Sequence, residues 1–290
     1  MSKSKKEPDL RLSYSSAQDI RMCERRWYNR KVLGKKPDKD YEEGDQFMIG
    51  KAFHYVLEMT GHKYPKKMVD CLKACSAHDD INLTKEYYPL ITAMVKRYCE
   101  LHEKSQLNVV AVEEEIQEDK FFIGYIDAIM SDNDGNWWVV DLKTTGSFRE
   151  DYLPPLIKNT QLSLYAPYAI QLSEKLGLDK EKFQGARYRT TVKPRLKRRN
   201  GESASSYARR LYDSCSSYDV ILTSDLLDSD ALNEHEIVRN RAEQLIRSYD
   251  IARRNYSNCT AFFKPCPYFS DCHGMTFTEA KDKITVLEAT

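Results

Sequence analysis

The chain has 290 residues, with 45 Lys or Arg against 44 Asp or Glu, so its formal net charge is +1. Hydrophobic residues make up 41%, enough for the core of one large domain or two small ones. The near-zero net charge excludes a strong positive potential over the whole protein. The sequence contains no apolar run of about 18 residues, so it predicts no membrane span. We therefore expect no membrane partner and a cytoplasmic location.

The N-terminal third is predicted to be helical. Residues 1–12 carry charge without a following apolar stretch, and we expect a disordered lead-in there. The stretch LSYSSAQDIRMCERRWYNRKV predicts a helix capped by Ser15 or Ser16. EEGDQFMIGKAFHYVLEM predicts a second helix, with Phe47 among the residues on its apolar side. Helical sequence continues to about Lys104.

After this region the pattern changes to short β-branched and aromatic runs. NVVAVEEEIQ, FFIGYIDAIM and WWVVDLKTT are separated by charged or turn-forming residues and predict three consecutive strands. PPLIKNTQLSLYAPYAIQLSEKLG predicts a helix that closes at Gly177, and FQGARYRTTVK predicts a further strand. A basic loop, a helix and a long helix from about Ser229 to Asn255 follow. This order predicts an α/β fold with a mixed sheet and helices on both sides.

Three charged residues stand at the ends of two strands that should be mostly buried. Side chains alternate faces along a strand, so Asp141 and Lys143 point the same way, and hairpin pairing would bring Asp127 beside Asp141. Two carboxylates with an ammonium group nearby suit a Mg²⁺ site that acts on a phosphate. Spacing alone leaves open an ordinary surface salt bridge between Asp141 and Lys143.

These residues resemble the PD-(D/E)XK nucleases and, within them, the RecB-like exonuclease group. The resemblance rests on five short motifs, in order, between residues 13 and 165. They are Ser13, Ser15, Cys23 and Trp27; Gly50 and His54; Gly124 and Asp127; Asp141 and Lys143; and Gln161 and Tyr165. The resemblance implies a restriction-endonuclease-like α/β core with a mixed central sheet flanked by helices and an N-terminal helical region.

The resemblance also implies a role for each matched residue. The catalytic set would be Lys143, Asp127, Asp141, Gln161 and Tyr165. The ligands of Mg²⁺ or Mn²⁺ would be His54, Asp127, Asp141 and the Leu142 carbonyl. Lys143 would orient or activate water, and Gln161 and Tyr165 would lie near the DNA backbone.

A further glutamate often precedes the G-x-x-D strand in this group. Glu113, Glu114 and Glu115 compete for that place, and we favour Glu113. Taken alone, His54 would also fit a core histidine, and Gln161 with Tyr165 would fit a routine helix face.

Three cysteines, Cys259, Cys266 and Cys272, lie in the Pro-rich tail and cannot complete a four-thiolate site. Cys23 could supply the fourth ligand. The arrangement resembles the iron–sulfur staple of some RecB-like nucleases, including the AddB subunit and CRISPR-adaptation nucleases, which implies a [4Fe–4S] cluster. The spacing here is longer than the usual C-x-x-C, which leaves open Zn²⁺, with His273 as a further possible ligand, or no metal.

Positive charge is concentrated in KPRLKRR and ARRLY. Such residues neutralise DNA phosphates without reading sequence, although a solvated loop is the alternative. The expected DNA-binding residues are Lys193, Arg195, Lys197, Arg198, Arg199, Arg209 and Arg210.

Together these features predict a metal-dependent DNA nuclease, most simply an exonuclease on single- or double-stranded linear ends, serving recombination, repair or phage DNA metabolism. We expect one nuclease domain over residues 13–275 and a tail over 276–290. Its parts would be a mainly helical 13–105, a sheet and active-site core 106–200, and C-terminal helices with the cysteine tail 201–275. The alternatives are an inactive DNA-binding module or an accessory subunit of a helicase–nuclease or CRISPR-adaptation complex, with a helicase or integrase as partner.

Overall fold

The computed structural model describes residues 11–39, 41, 44–81, 83–118, 122–149, 160–260 and 265–282. The chain divides into two compact units. The terminal unit comprises Met1–Glu42, Gln117–Ile123 and Leu232–Thr290, and the sheet unit comprises Glu43–Ile116 and Gly124–Ala231. The expectation of one nuclease domain over 13–275 stays a prediction.

The five strands form one mixed sheet in the order β1-β2-β3-β4-β5. Their bounds are β1 Asn108–Glu118, β2 Phe122–Ser131, β3 Trp137–Thr145, β4 Phe183–Val192 and β5 Ser217–Thr223. β2 and β3 form an antiparallel hairpin, β3 and β4 are parallel, and β5 returns antiparallel to β4. The predicted α/β fold with a mixed sheet is confirmed. Sequence analysis missed β5, an edge strand in which Leu222 is buried, the other residues are half-buried or exposed, and the apolar run is short.

Helices flank this sheet in sequence. Their bounds are α1 Tyr14–Met22, α2 Glu24–Trp27, α3 Asp45–Thr60, α4 Met68–Ala77, α5 Tyr88–Ser105, α6 Thr160–Leu172, α7 Ala204–Ser214, α8 Ala231–Arg247, α9 Phe269–His273 and α10 Phe277–Asp282. A π-helical turn, Tyr28–Val32, follows α2.

The first helix differs from the prediction at both ends. Its N-cap is Ser13 rather than Ser15 or Ser16, because the Ser13 hydroxyl accepts the Ser16 N–H at 3.2 Å. Extended backbone at Cys23 ends α1, so the helix predicted to run on unbroken is interrupted there.

Other helix boundaries also differ from the prediction. The long helix α8 ends at Arg247, short of the predicted Asn255. Parts of several predictions lie outside the described residues: 1–10 of the lead-in, 42–43 of the helix that contains α3, 121 of the strand that contains β2, 154–159 of the helix that contains α6, 261–264 of the cysteine tail and 283–290 of the C-terminal tail.

The two faces of β3 contact different helices. Val140 and Leu142 belong to a buried core shared with α3, α4 and α5, in which Phe53 and Met94 are fully buried. Side chains alternate along the strand, so Asp141, which lies between these two residues, points to the opposite face, against which α6 packs. The C-terminal half of β3 therefore lies between α3 and α6, and either helix can contribute side chains there.

Candidate functional site

The β2–β3 hairpin brings two aspartates to the point where backbone pairing ends. The antiparallel register runs from Ser131 opposite Trp137 to Ala128 opposite Val140, so Asp127 and Asp141 occupy the next step. There the Leu142 N–H donates to Asp127 Oδ2 at 2.7 Å. The Leu142 amide is therefore bonded to a side-chain carboxylate rather than to the carbonyl of a neighbouring strand. This hydrogen bond holds Asp127 against β3.

Lys143 links Asp141 to helix α6. Its ammonium lies 3.0 Å from Asp141 Oδ1 and 2.8 Å from Oδ2, and it donates to Gln161 Oε1 at 3.1 Å. Asp141 is only 3% exposed, whereas the Lys143 side chain is 36% exposed. The pair is therefore not the surface salt bridge that spacing alone allowed, because its acidic partner is buried.

Helix α3 supplies His54 from the other face of the sheet. A Cβ at Gly50 would lie 3.2 Å from Thr144 Oγ1, so the glycine permits α3 to approach β3 closely. One turn later, His54 Nδ1 lies 3.7 Å from Asp127 Oδ2, and the ring donates a hydrogen bond to the Leu142 backbone carbonyl. Burial lowers the pKa of His54 to about 4, so the imidazole is neutral and can offer a lone pair.

Glu113 is the glutamate of β1 that reaches this cluster. Ligand atoms of His54, Glu113 and Asp127 all lie within 4.8 Å of one another. Glu113 has a φ of 48°, a left-handed conformation that is strained for a non-glycine residue inside a strand and that redirects its side chain. Of its two rivals, Glu114 accepts from Lys175 at 2.8 Å and Glu115 accepts from the Tyr125 hydroxyl at 3.1 Å.

The carboxyl groups of the cluster are held in an environment that disfavours their charge. Burial is the main cause that raises the pKa of Asp127 and of Asp141 to about 6; for Asp141, Lys143 opposes the rise and the nearby Asp127 adds to it. Burial, then Asp127 and Glu58, raise the pKa of Glu113 to about 7. Buried or half-buried carboxylates that repel one another, next to a neutral imidazole, form an arrangement that a bound cation would stabilise.

The glycine of the G-x-x-D motif makes room for an α6 aromatic residue. A Cβ at Gly124 would lie 3.1 Å from the Tyr165 ring and 3.1 Å from Ile116. Tyr165 is 6% exposed and packs across this gap, one helical turn after Gln161. Both α6 residues named by sequence analysis therefore lie beside the hairpin, Gln161 on Lys143 and Tyr165 on Gly124.

Sequence analysis did not single out Glu58. It lies one turn after His54 on α3, and its charge contributes to the raised pKa of Glu113. The sequence feature that could have identified Glu58 is its i, i+4 spacing from His54, which places the two side chains on one helix face.

In the terminal unit, the four cysteines chosen from sequence line one pocket. Cys23, Cys259, Cys266 and Cys272 all contribute to its wall. The Cys266 N–H donates to the Cys259 carbonyl at 2.7 Å, and Cys259 Sγ lies 3.6 Å from His273 Nε2. Burial is the main cause that raises the pKa of Cys266 to about 11; a Tyr268 backbone hydrogen bond and Arg26 oppose the rise, and Cys23 and Cys259 add to it. The remaining four cysteines, Cys71, Cys75, Cys99 and Cys215, are buried in the sheet unit.

The basic residues do not form one uniform surface. Lys193 is buried, and its ammonium donates to the Gln46 carbonyl at 2.9 Å, which separates it from the exposed members of the set. Arg198 donates to the Glu202 carbonyl at 2.7 Å, and Arg210 donates to the Glu202 carboxylate at 2.8 Å. The exposed members are Arg195, Lys197, Arg198, Arg199 and Arg209.

The chain was compared with known protein families and with curated proteins. A model of the PD-(D/E)XK nuclease superfamily matches residues 11–273, which is most of the chain. No curated protein matches the chain significantly. Within the described part of the chain, no helix is long and apolar enough to cross a membrane. The match extends from the first helix to the cysteine tail and includes the whole sheet, and the chain therefore belongs to the PD-(D/E)XK nuclease superfamily.

Proposed function

We propose that the protein is a metal-dependent DNA exonuclease of the RecB-like group within this superfamily. One observation carries the proposal. Ligand atoms of His54, Glu113 and Asp127 converge within 4.8 Å of one another, next to a buried Asp141 that contacts Lys143. Membership of the superfamily makes phosphodiester hydrolysis the expected chemistry of such a cluster.

The residues of the cluster fit a divalent cation. Carboxylate oxygens and a neutral imidazole suit Mg²⁺ or Mn²⁺, and the raised carboxyl pKa values indicate charge that a cation would relieve. His54, Glu113, Asp127, Asp141 and the Leu142 carbonyl would hold the ion. When bound, it supplies positive charge that acidifies a water and stabilises the charge on the phosphodiester during attack.

The chain's own groups would position the reactants. Lys143 is fixed from two sides, by Asp141 and by Gln161, so its ammonium has a defined place from which to hold a water or a phosphate oxygen. Asp127 is fixed by the Leu142 amide. Hydrolysis then joins the water oxygen to phosphorus, breaks the P–O ester bond and passes a proton to the leaving oxygen.

The proposal is tested with purified protein and end-labelled DNA. Linear DNA should be degraded with Mg²⁺ or Mn²⁺ and spared in chelator, whereas Ca²⁺ should support binding with little cleavage. Covalently closed circular DNA should survive if the enzyme needs an end. Cleavage of the circle would replace the exonuclease by an endonuclease, and full activity in chelator would contradict the carboxylate site.

Two rival functions remain in other classes. An inactive DNA-binding module would bind the same DNA but cleave none of it with any of these metals. An accessory subunit would cleave only after a helicase or integrase from its native source is added. Asp141→Asn separates these cases from a contaminating nuclease, because the activity of the enzyme itself must disappear while Asp132→Asn, in the turn of the same hairpin, keeps it.

We also propose that Cys23, Cys259, Cys266 and Cys272 hold a [4Fe–4S] cluster, with Zn²⁺ as the alternative. That four cysteines line one pocket supports a shared metal site. The role would be structural, because Cys23 is far from the other three in sequence and a shared metal closes a very long loop.

Metal analysis distinguishes these possibilities. Anaerobically purified protein should be brown and contain about four irons per chain if the cluster is [4Fe–4S]. One zinc and no iron would identify the alternative. Cys23→Ser should lose the metal, whereas Cys71→Ser, in the sheet unit, should retain it. Metal-free anaerobic protein whose stability is unchanged by Cys23→Ser would remove this proposal and leave the nuclease proposal intact.

A further inference from the structure

An exposed aromatic residue stands at the start of the helix that carries His54. Phe47 lies in the first turns of α3 and is 54% exposed, although its sequence pattern had suggested the apolar side. Phe47, Gly50 and His54 are spaced by three and four residues, so they follow one stripe of the helix. A large apolar ring left in solvent on the stripe that leads to a candidate active site needs an explanation.

The packing of α3 locates Phe47 relative to the strands. His54 is bonded to the Leu142 carbonyl, and Gly50 lies against Thr144. Further back, the Gln46 carbonyl accepts from Lys193, which follows the end of β4. Helix α3 therefore runs antiparallel to β3, and Phe47 stands beyond the C-terminal end of that strand. Seven residues at 1.5 Å rise separate it from His54 by about 10 Å.

One basic side chain contacts the Phe47 ring, and another lies at the end of β3. Lys51 Nζ lies 4.6 Å from the centre of the Phe47 ring and also donates to the Asp80 carbonyl at 3.2 Å. The Arg195 guanidinium covers Gly146, where a Cβ would lie 2.9 Å from it. Gly146 directly follows β3, so a cation stands at the end of the strand that carries Asp141 and Lys143.

An aromatic ring beside cations matches one class of ligand. Single-stranded nucleic acid presents base faces that stack on aromatic side chains, while its phosphates meet basic groups. A continuous duplex keeps its base faces stacked inside the helix and offers none to an isolated ring. Because Phe47 and His54 are about 10 Å apart along the helix axis, a single strand of a few nucleotides can reach from the ring to the candidate metal site.

We propose that Phe47 stacks on a base of a single-stranded DNA segment whose backbone continues past Arg195 to the candidate active site. The inference rests on the proposed nuclease function and specifies its substrate as single-stranded. Phe47 is a positioning residue here, a few nucleotides from the bond that is cut.

The test measures binding separately from cleavage. Wild-type protein, Phe47→Ala, Phe47→Leu and Phe47→Tyr are titrated in chelator against a fluorescent oligothymidylate and against relaxed, covalently closed circular duplex DNA, which has no ends. The matched control is Tyr64→Ala, because Tyr64 is another exposed aromatic residue, 43% exposed, beyond the opposite end of α3. A 2-aminopurine placed at successive positions of a second single strand reports stacking directly.

Phe47→Ala and Phe47→Leu should weaken single-strand binding by about 5- to 150-fold, the equivalent of about 1–3 kcal/mol for one base stack. They should leave duplex binding and the melting temperature unchanged. Phe47→Tyr should restore both affinity and the 2-aminopurine quenching, and Tyr64→Ala should resemble wild type.

Several outcomes would overturn the inference. Equal losses on single strand and duplex would assign Phe47 to general binding, and wild-type affinity in Phe47→Leu would assign it to apolar contact with another partner. If wild type degrades DNA while Phe47→Ala binds single strands normally, this inference alone fails. If wild type neither binds nor cleaves any DNA, the proposed function fails with it.

Discussion

In the metal-free protein, Asp127→Asn should increase stability at neutral and alkaline pH. The folded state holds this carboxylate buried, with its side chain 16% exposed and its pKa raised to about 6 from 3.8. Asparagine removes the charge but retains an oxygen that can still accept the Leu142 N–H. The substitution therefore relieves an unfavourable charge without leaving the amide unsatisfied.

The magnitude and the sign follow from linkage. A folded pKa above the unfolded one means that the protonated acid favours the folded state below about pH 4, and that this contribution is lost as the pH rises through 6. A shift of about 2 pKa units corresponds to roughly 3 kcal/mol, so wild type should be weaker than Asp127→Asn by up to about that amount at pH 8. Coupling to Asp141 and Glu113 should spread the transition over a wide pH range.

Urea unfolding between pH 4.5 and 8, in chelator, measures the difference as a function of pH. The gap in the free energy of unfolding should grow with pH and then level off. Adding Mn²⁺ at pH 8 should reverse the order, because the metal stabilises wild type more than the variant. A gap that is independent of pH, or a variant that is less stable in chelator at pH 8, would refute the reasoning.

Asp132, in the same hairpin, provides a control for which the opposite change in stability is expected. Hydrogen bonds from the side chain and the backbone of Asn136 lower the pKa of Asp132, so its carboxylate favours the folded state. Asp132→Asn should therefore decrease stability at pH 8, and the loss should fade in acid. If both variants change stability in the same direction, the effect of Asp127→Asn does not come from burial of its charge.

Three further predictions address the rest of the site. Lys143→Ala should abolish cleavage with Mg²⁺ while DNA binding in Ca²⁺ persists, and a variant that cleaves at the wild-type rate would show that the D-x-K assignment is wrong. Gly124→Ala should destabilise the protein by about 1–3 kcal/mol in urea unfolding, because its Cβ would press on Tyr165 at 3.1 Å; unchanged stability would contradict this packing. The Arg209 side chain is 85% exposed. If it neutralises one phosphate, Arg209→Ala should reduce the slope of log K against log salt by about 0.7 for single-stranded DNA or about 0.9 for duplex DNA, and an unchanged slope would remove Arg209 from the interface.

The local pattern of the sequence was sufficient to predict the fold class and the approximate strands. The runs around Asp127 and Asp141 carry β-branched and aromatic residues on either side of a turn, and these preferences act over a few residues. Alternation along β3 likewise predicted that Asp141 and Lys143 share a face. The spacing between Gln161 and Tyr165 predicted one helix face for the same reason.

Boundaries and special backbone positions could not be predicted in this way. The cap at Ser13 depends on which of several nearby hydroxyls meets the free N–H groups, and three serines compete within four residues. Strand β5 is held by pairing with β4 more than by its own composition, and that pairing joins residues about 30 positions apart in sequence, such as Tyr188 and Val220. Local preference carries no information about either choice.

The candidate site itself required the tertiary structure. Sequence patterns left Glu113, Glu114 and Glu115 as rivals, because nothing local distinguishes three adjacent glutamates. The left-handed backbone at Glu113, together with the partners of the other two, brings only Glu113 to His54 and Asp127. The exposure of Phe47 has a similar origin, since a helical pattern gives the face on which a ring lies but not where the strands beneath that face end. Both features depend on how α3, β1 and the β2–β3 hairpin pack together, and packing between distant segments is what a local pattern does not contain.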